Sequence, residues 1–316
     1  MPLEGIANLL ENLCDEVLRD KLCKVYQKIA MRTQLLSLAG LIFLAPGIII
    51  GCSVDQTPGE PQAQEQSQPQ AAAGTLQVRA NGEERAREGL VSSDGWRITF
   101  NNLYANLADV TAYQSEPAFN PEQGGEIQAE EKVVVLDQVQ TVDLAQSGDG
   151  QDSVLVAEAS NVPPGQYNAL SWRMVPATEG PAQGQTMVMS GTAEKEGQTI
   201  NFVLNIDREF EYVCGEYVGD ERKGIVQAGD TADLEATFHL DHLFGDGEKS
   251  ADDPINQGAL GFEPLAALAQ NGNLQISTSE LQSQSPQTYQ QLQEILPSIG
   301  HVGEGHCREA NTQTVG

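Results

Sequence analysis

The stretch Thr231 to Leu243, TADLEATFHLDHL, alternates residue by residue. Leu234, Ala236, Phe238 and Leu240 fall on one face, and Glu235, Thr237, His239 and Asp241 on the other. A period of two is the mark of a half-buried strand. Outward from this stretch the pattern recurs. Trp96, Ile98 and Phe100 alternate with Arg97 and Thr99. Lys132–Leu136, Val139 with Val142–Leu144, Asp152–Ala157, Ala169–Val175, Thr186–Thr192 and Thr199–Ile206 also read as strands. Turn chemistry separates them: Pro163-Pro164-Gly165 precedes Tyr167, and Glu196-Gly197 is a hairpin signal. Short strands at this spacing predict an all-β fold, a sandwich of antiparallel strands that is Ig-like or a partly open barrel. Trp96 and Trp172 then belong to core packing rather than to a ligand cage. Two short helices are expected near the C-terminus, at Pro264–Asn271 and Ser285–Leu296, the second with Pro286 in its first turn and Pro297 at its end. One domain over residues 75–316 accommodates all of this.

The chain has 4 histidines, and they fall into two tight groups. One is His239-Leu240-Asp241-His242; the other is His301-Val302-Gly303-Glu304-Gly305-His306-Cys307. Random placement over 316 positions would rarely produce such pairing twice. Imidazole is a good ligand for Zn, Cu, Ni and Fe. In a strand His239 and Asp241 share a face while His242 points away, so the strand must end or bulge for His242 to join them. Gly303 and Gly305 permit a tight loop that folds His301 and His306 toward one point. The expected metal ligands are therefore His239, Asp241, His242, His301 and His306, with Glu304 as a further candidate. Because neutral imidazole is the ligand form, affinity is expected to fall as pH drops through about 6.5. The competing reading is a set of turn-proximal surface histidines that bind nothing.

Upstream, Leu35–Ile50 reads LLSLAGLIFLAPGIII, an uncharged run interrupted by Pro46 and Gly47. It falls short of the about 20 residues a bilayer-spanning helix needs, and its length suits a signal-peptide core. Met31 and Arg32 precede it, and Ile49-Ile50-Gly51-Cys52 follows. That ending resembles a bacterial lipobox, although Ile50 stands where the pattern prefers a small residue. The resemblance implies a signal peptide over residues 31–51 and a lipidated Cys52. Ser53, in place of an aspartate, favours the outer membrane if the cell has one. Residues 52–74, rich in Gln, Pro and Ala, read as a flexible tether. Residues 1–30 read as an extension upstream of a start at Met31; a cytoplasmic helix before an uncleaved anchor is the alternative.

Lys plus Arg number 17 against 45 Asp plus Glu, a net charge of −28. All of that excess lies after Cys52, which disfavours nucleic acid and anionic lipid head groups as partners. Of the 5 cysteines, Cys14 and Cys23 precede the signal and Cys52 is the expected lipidation site, so Cys214 and Cys307 remain as an even pair in an oxidising compartment and a disulfide is expected, with thiolate ligation as the competing reading. Asp246, Glu248, Asp252 and Asp253 form an acidic loop whose spacing does not match a calcium-binding EF-hand; it reads as a solvated loop. No phosphate-binding glycine loop and no Gly-x-Ser-x-Gly elbow occurs, and nothing marks a nucleophile, so an enzyme is not expected.

Several features resemble the MbnP-like periplasmic copper-binding proteins: the exported start, the Pro-Pro-Gly-x-Tyr turn at Pro163–Tyr167, the Ser190–Ala193 segment, and a late strand ending Leu243-Phe244-Gly245. The resemblance covers about residues 90–265 and implies an all-β fold associated with metal acquisition. No ligand is carried over from it. The combined expectation is an extracytoplasmic, lipid-anchored protein that binds Zn or Cu for acquisition, buffering or delivery, with a membrane as anchor and an envelope transporter or receptor as partner. The alternatives are a metal-free, tethered Ig-like interaction module and a carbohydrate-binding sandwich. An aromatic content of 5% disfavours the last, since sugar faces usually stack on rings.

Overall fold

The computed structural model describes residues 73–147, 152–215, 223–303 and 305–310, all within one compact unit. The upstream extension, the signal peptide, Cys52, most of the tether, and Glu304 lie outside the described residues. Among the described residues no helix is long and apolar enough to cross a membrane.

In chain order the first elements are β1 (Gly74–Asn81), helix α1 (Glu83–Glu88), β2 (Leu90–Val91) and β3 (Arg97–Ser115). Then come β4 (Ala129–Leu136), β5 (Gln140–Asp143), β6 (Val154–Val162), β7 (Gly165–Gln166), β8 (Ala169–Met174), β9 (Met187–Lys195), β10 (Gln198–Ile206), β11 (Phe210–Cys214) and β12 (Ile225–Val226). β13 (Thr231–Phe238) leads into helices α2 (Leu240–Phe244), α3 (Pro254–Gly258) and α4 (Glu263–Ala266). The chain closes with β14 (Asn273–Ser277), α5 (Thr278–Gln284), α6 (Pro286–Ile295), β15 (Gly300–Val302), β16 (Gly305–His306) and β17 (Arg308–Glu309).

The long strand β3 organises the larger sheet. Its Arg97–Ala105 half pairs with β9, and its Leu107–Tyr113 half pairs with β8. The handover is at Asn106, whose N–H donates to Thr186 O while its C=O accepts from Val175 N–H. The other edge of β3 takes β2, β5 and β4. The register slips between Ala108 and Thr111, where Asp109 sits at φ 50°; such a bulge bends a strand and lets it serve both halves. Beyond β9 the sheet continues through β10 to β14, and beyond β8 through β11 to β17. The smaller sheet runs β16-β15-β13-β1-β6.

The two sheets face each other as a β-sandwich, with no closed barrel. Leu76, Val78, Ala80, Leu234, Ala236 and Phe238 of the small sheet share one buried core with Ile98, Leu103, Trp172, Phe202, Leu204 and Tyr212 of the large one. Rings from both layers interlock at the centre: Trp172 lies 5.0 Å from Tyr212 and 6.2 Å from Phe238. Trp172 is fully buried and Trp96 nearly so, which places both tryptophans in the core.

Three details depart from expectation. Most pairings are antiparallel, but β1–β13 and β10–β14 are parallel. Helices are not confined to the C-terminus, since α1 follows β1 and α2 follows β13. Gly74, placed at the end of the tether, already pairs with Val162 in the sheet. The parallel β1–β13 pair has a consequence for the site. Both strands finish at the same end of the sheet, with Asn81 opposite Thr237, so α1 and α2 begin side by side.

Candidate metal centre

The alternating stretch does not stay extended to Leu243. β13 stops at Phe238, and His239, at φ −87° and ψ 100°, stands just before α2. Its N–H is taken by Ile299 O, and its C=O accepts from His242 N–H. The change from strand to helical turn decides the geometry. Residues three apart point to opposite faces of a strand but to one face of a helix. His242 is thereby brought over His239, with ring centroids 5.9 Å apart. The same turn aims Asp241 elsewhere, at Arg85 of α1, Oδ2 to Nε 3.6 Å.

The second histidine group is a β-hairpin. His301 and His306 face each other across β15 and β16, so both project from one face. Gly303 supplies the positive φ of 57° that its turn requires. β15 is laid along β13 with His301 opposite Thr237. Gly300 is required here because a Cβ would collide with the ring of Tyr212, whose hydroxyl donates to Leu296 O at 2.6 Å. Cys307 is joined to Cys214 by a disulfide, so the segment leaving His306 is pinned to β11 in the opposite sheet. The bridge spans 93 residues, and a loop of that length restricts the unfolded chain by roughly 4 to 5 kcal/mol in the chain-entropy account.

The structure therefore draws the four imidazoles into one cluster. His301 is central, 4.0 Å from His239, 4.2 Å from His306 and 4.9 Å from His242 between centroids. His242 and His306 are 5.5 Å apart. One nitrogen each from His239, His242 and His301 lies within 4.8 Å of the others. Tetrahedral ligation at 2.0–2.1 Å would need nitrogens about 3.3 Å apart, so a shared ion would require the rings to close up from this arrangement.

Ser298 sets two of the rings. Its hydroxyl proton is committed to Ile295 O at 2.8 Å, so its oxygen accepts from His242 Nδ1–H at 3.3 Å. Its carbonyl accepts from His301 Nε2–H at 3.2 Å. The lone pairs left free are Nε2 of His242 and Nδ1 of His301. Such contacts from behind a ring are how protein metal sites fix ligand orientation. Ionisation of these two rings is suppressed. Burial, reinforced by His239, His306 and His242, pulls His301 down to about 3. Burial also lowers His242 to about 4, against the opposing pull of Asp241. Both rings hold the ligand form well below the expected pH of about 6.5.

The other site expectations fare differently. Asp241 is near the cluster, with Oδ1 4.0 Å from His239 Nδ1, but its other oxygen is engaged by Arg85. Glu304 and Cys52 are outside the described residues. Sequence reasoning passed over Ser298 and also Glu83, whose Oε1 lies 3.6 Å from His239 Nε2. No local motif marks Ser298; Glu83 arrives only through the parallel pairing of β1 with β13. Beside the cluster, His242, His306, Ser298, Ile295, Pro254 and Ile255 line an open groove of about 410 Å³ that reaches solvent.

Compared with known proteins, the chain matches no family model, no curated protein and no solved structure.

Proposed function

We propose that this chain is an extracytoplasmic, lipid-anchored protein that binds a divalent transition metal, Zn2+ or Cu2+, for acquisition, buffering or delivery. The observation that carries the reading is that two sequence-distant groups, supplying all 4 histidines of the chain, meet in one cluster. Imidazole without sulfur ligands suits borderline divalent ions rather than soft monovalent copper. The acidic exterior, at a net charge of −28, raises the local concentration of cations. The cluster sits at the far end of β1 from residue 73, where the tether would enter, so a partner protein can approach it without the membrane intervening. Ser298 Oγ meets His242 Nδ1 but gives its own proton to Ile295 O, so this serine is not set up as a nucleophile, and the proposed role is binding rather than catalysis.

The test is metal titration of the purified full-length chain. Wild type should bind Zn2+ or Cu2+ with near-unit stoichiometry, and His301→Ala should lower affinity by roughly 100-fold or more, since it removes the central ligand. Wild-type protein that binds neither ion overturns the reading and leaves the tethered interaction module.

A further inference from the structure

Glu83 occupies an unusual place in the chain. It opens α1 with φ 59°, a left-handed backbone that side chains other than glycine, asparagine and aspartate seldom adopt. The surroundings enforce it. Asn81 Oδ1 accepts the Glu83 N–H at 2.7 Å and also holds Arg87, while the Asn81 amide is anchored to Glu235. Gly82 is pressed so closely on Ala86 and Leu144 that a Cβ there would clash. A strained backbone that persists at a cluster of candidate ligands points to use of the side chain it carries. Here the side chain puts Oε1 3.6 Å from His239 Nε2.

We infer that Glu83 is a metal ligand, the carboxylate that completes a site built from His239, His242 and His301; this rests on the metal-binding reading above. An oxygen and a nitrogen bound to one ion at about 2.0–2.2 Å stand roughly 3.3–3.5 Å apart in tetrahedral geometry, close to the Glu83–His239 separation; the carboxylate is not within 4.8 Å of all three imidazole nitrogens, so joining His242 and His301 requires its side chain to swing toward them. The neighbouring carboxylate takes the complementary role. With Nε2 of His239 turned to the metal, its Nδ1–H faces Asp241 Oδ1, a buried oxygen that has no hydrogen-bond partner among the described residues. Arg85 holds the other Asp241 oxygen and keeps that group out of the ligand set. A three-imidazole, one-carboxylate set is hard enough to favour a divalent ion over monovalent copper.

The experiment titrates the full-length chain with Zn2+ and, separately, with Cu2+, and compares wild type, Glu83→Gln, Glu83→Gly and His301→Ala with whichever ion wild type binds. Both Glu83 variants should bind roughly 10- to 100-fold more weakly, while the metal-free Glu83→Gly protein melts no lower than wild type because glycine accepts the positive φ. If Glu83→Gln binds like wild type while His301→Ala does not, the ligand assignment is overturned and the histidine site stands. If wild type itself takes no Zn2+ or Cu2+, the metal reading fails and this inference with it.

Discussion

The histidine cluster and the acidic loop after α2 both supply grouped side chains of metal-ligand type, yet the structure treats them in opposite ways. In the acidic loop the inner donors are spent. Asp246 Oδ1 accepts from Glu248 N–H, and Oδ2 pairs with Arg85 at 2.8 Å. Burial opposes ionisation of Asp246, but the Glu248 N–H and Arg85 outweigh it and hold its carboxyl below the usual range. The Asn256 amide fills the loop's centre, donating to Asp246 O and Ser250 O, and its oxygen accepts Asp246 N–H. Asp253 caps α3 through Ile255 N–H. What is left over for a cation is the pair of solvent-exposed carboxylates of Glu248 and Asp252. In the histidine cluster, by contrast, Ser298 takes one nitrogen from each of two rings and leaves the other free. The two clusters thus differ less in which residues gather than in how far their inner lone pairs are already used.

Four measurements sharpen or break that contrast. The largest effect concerns pH. In the unfolded chain His301 binds a proton near 6.5, whereas in the fold it does so only near 3. The unfolded state thus holds more protons over that interval, so stability is full above about 6.5 and declines as pH falls. By pH 4 the metal-free protein should have lost about 3 kcal/mol through this nearly fully buried ring alone, and His301→Ala should flatten that slope in urea melts. An unchanged slope would mean that His301 titrates like an exposed imidazole. Next, Asn256→Ala leaves the carbonyls and N–H that Asn256 now serves to find water, and should cost about 1–3 kcal/mol in chemical denaturation. Millimolar Ca2+ should not raise the melting temperature of wild type; a clear rise would show that the loop has donors to spare. The smallest effect is Ser298→Ala, which unfixes His242 while retaining the carbonyl to His301. Zn2+ affinity should fall about tenfold with stability little changed, and equal losses of both would make Ser298 a packing residue only.

Much of the sandwich was legible because strand patterning is local. Ile200, Phe202, Leu204 and Ile206 of β10 and Leu234, Ala236 and Phe238 of β13 alternate in sequence and are buried in the structure. α6 was legible from Pro286, although Thr278–Gln284 was passed over, because α5 has little apolar periodicity and its one signal is the capping box of Ser277 with Glu280. The limits of β13 were less legible. Leu240 continues the alternation of Phe238 and is equally buried, so burial alone cannot tell the strand from the helical turn that replaces it. The disulfide followed from cysteine parity, whereas the carboxylate that approaches the cluster could not be found by proximity in sequence, since Glu83 lies far from every histidine.

By itself the sequence determined the strand-rich class, the two histidine groups and the cysteine pair, because periodicity, clustering and count are properties of neighbours along the chain. The tertiary structure alone decided that the two groups meet. β15 docks on β13 beside the helical turn, which requires Gly300 to admit Tyr212 and the Cys214–Cys307 bridge to hold the returning strand. It also decided which carboxylate stands at the cluster. The parallel register of β1 with β13 brings Glu83 to His239 and lets Arg85 claim Asp241, and such a register depends on contacts between segments separated by about 150 residues, which no local pattern encodes.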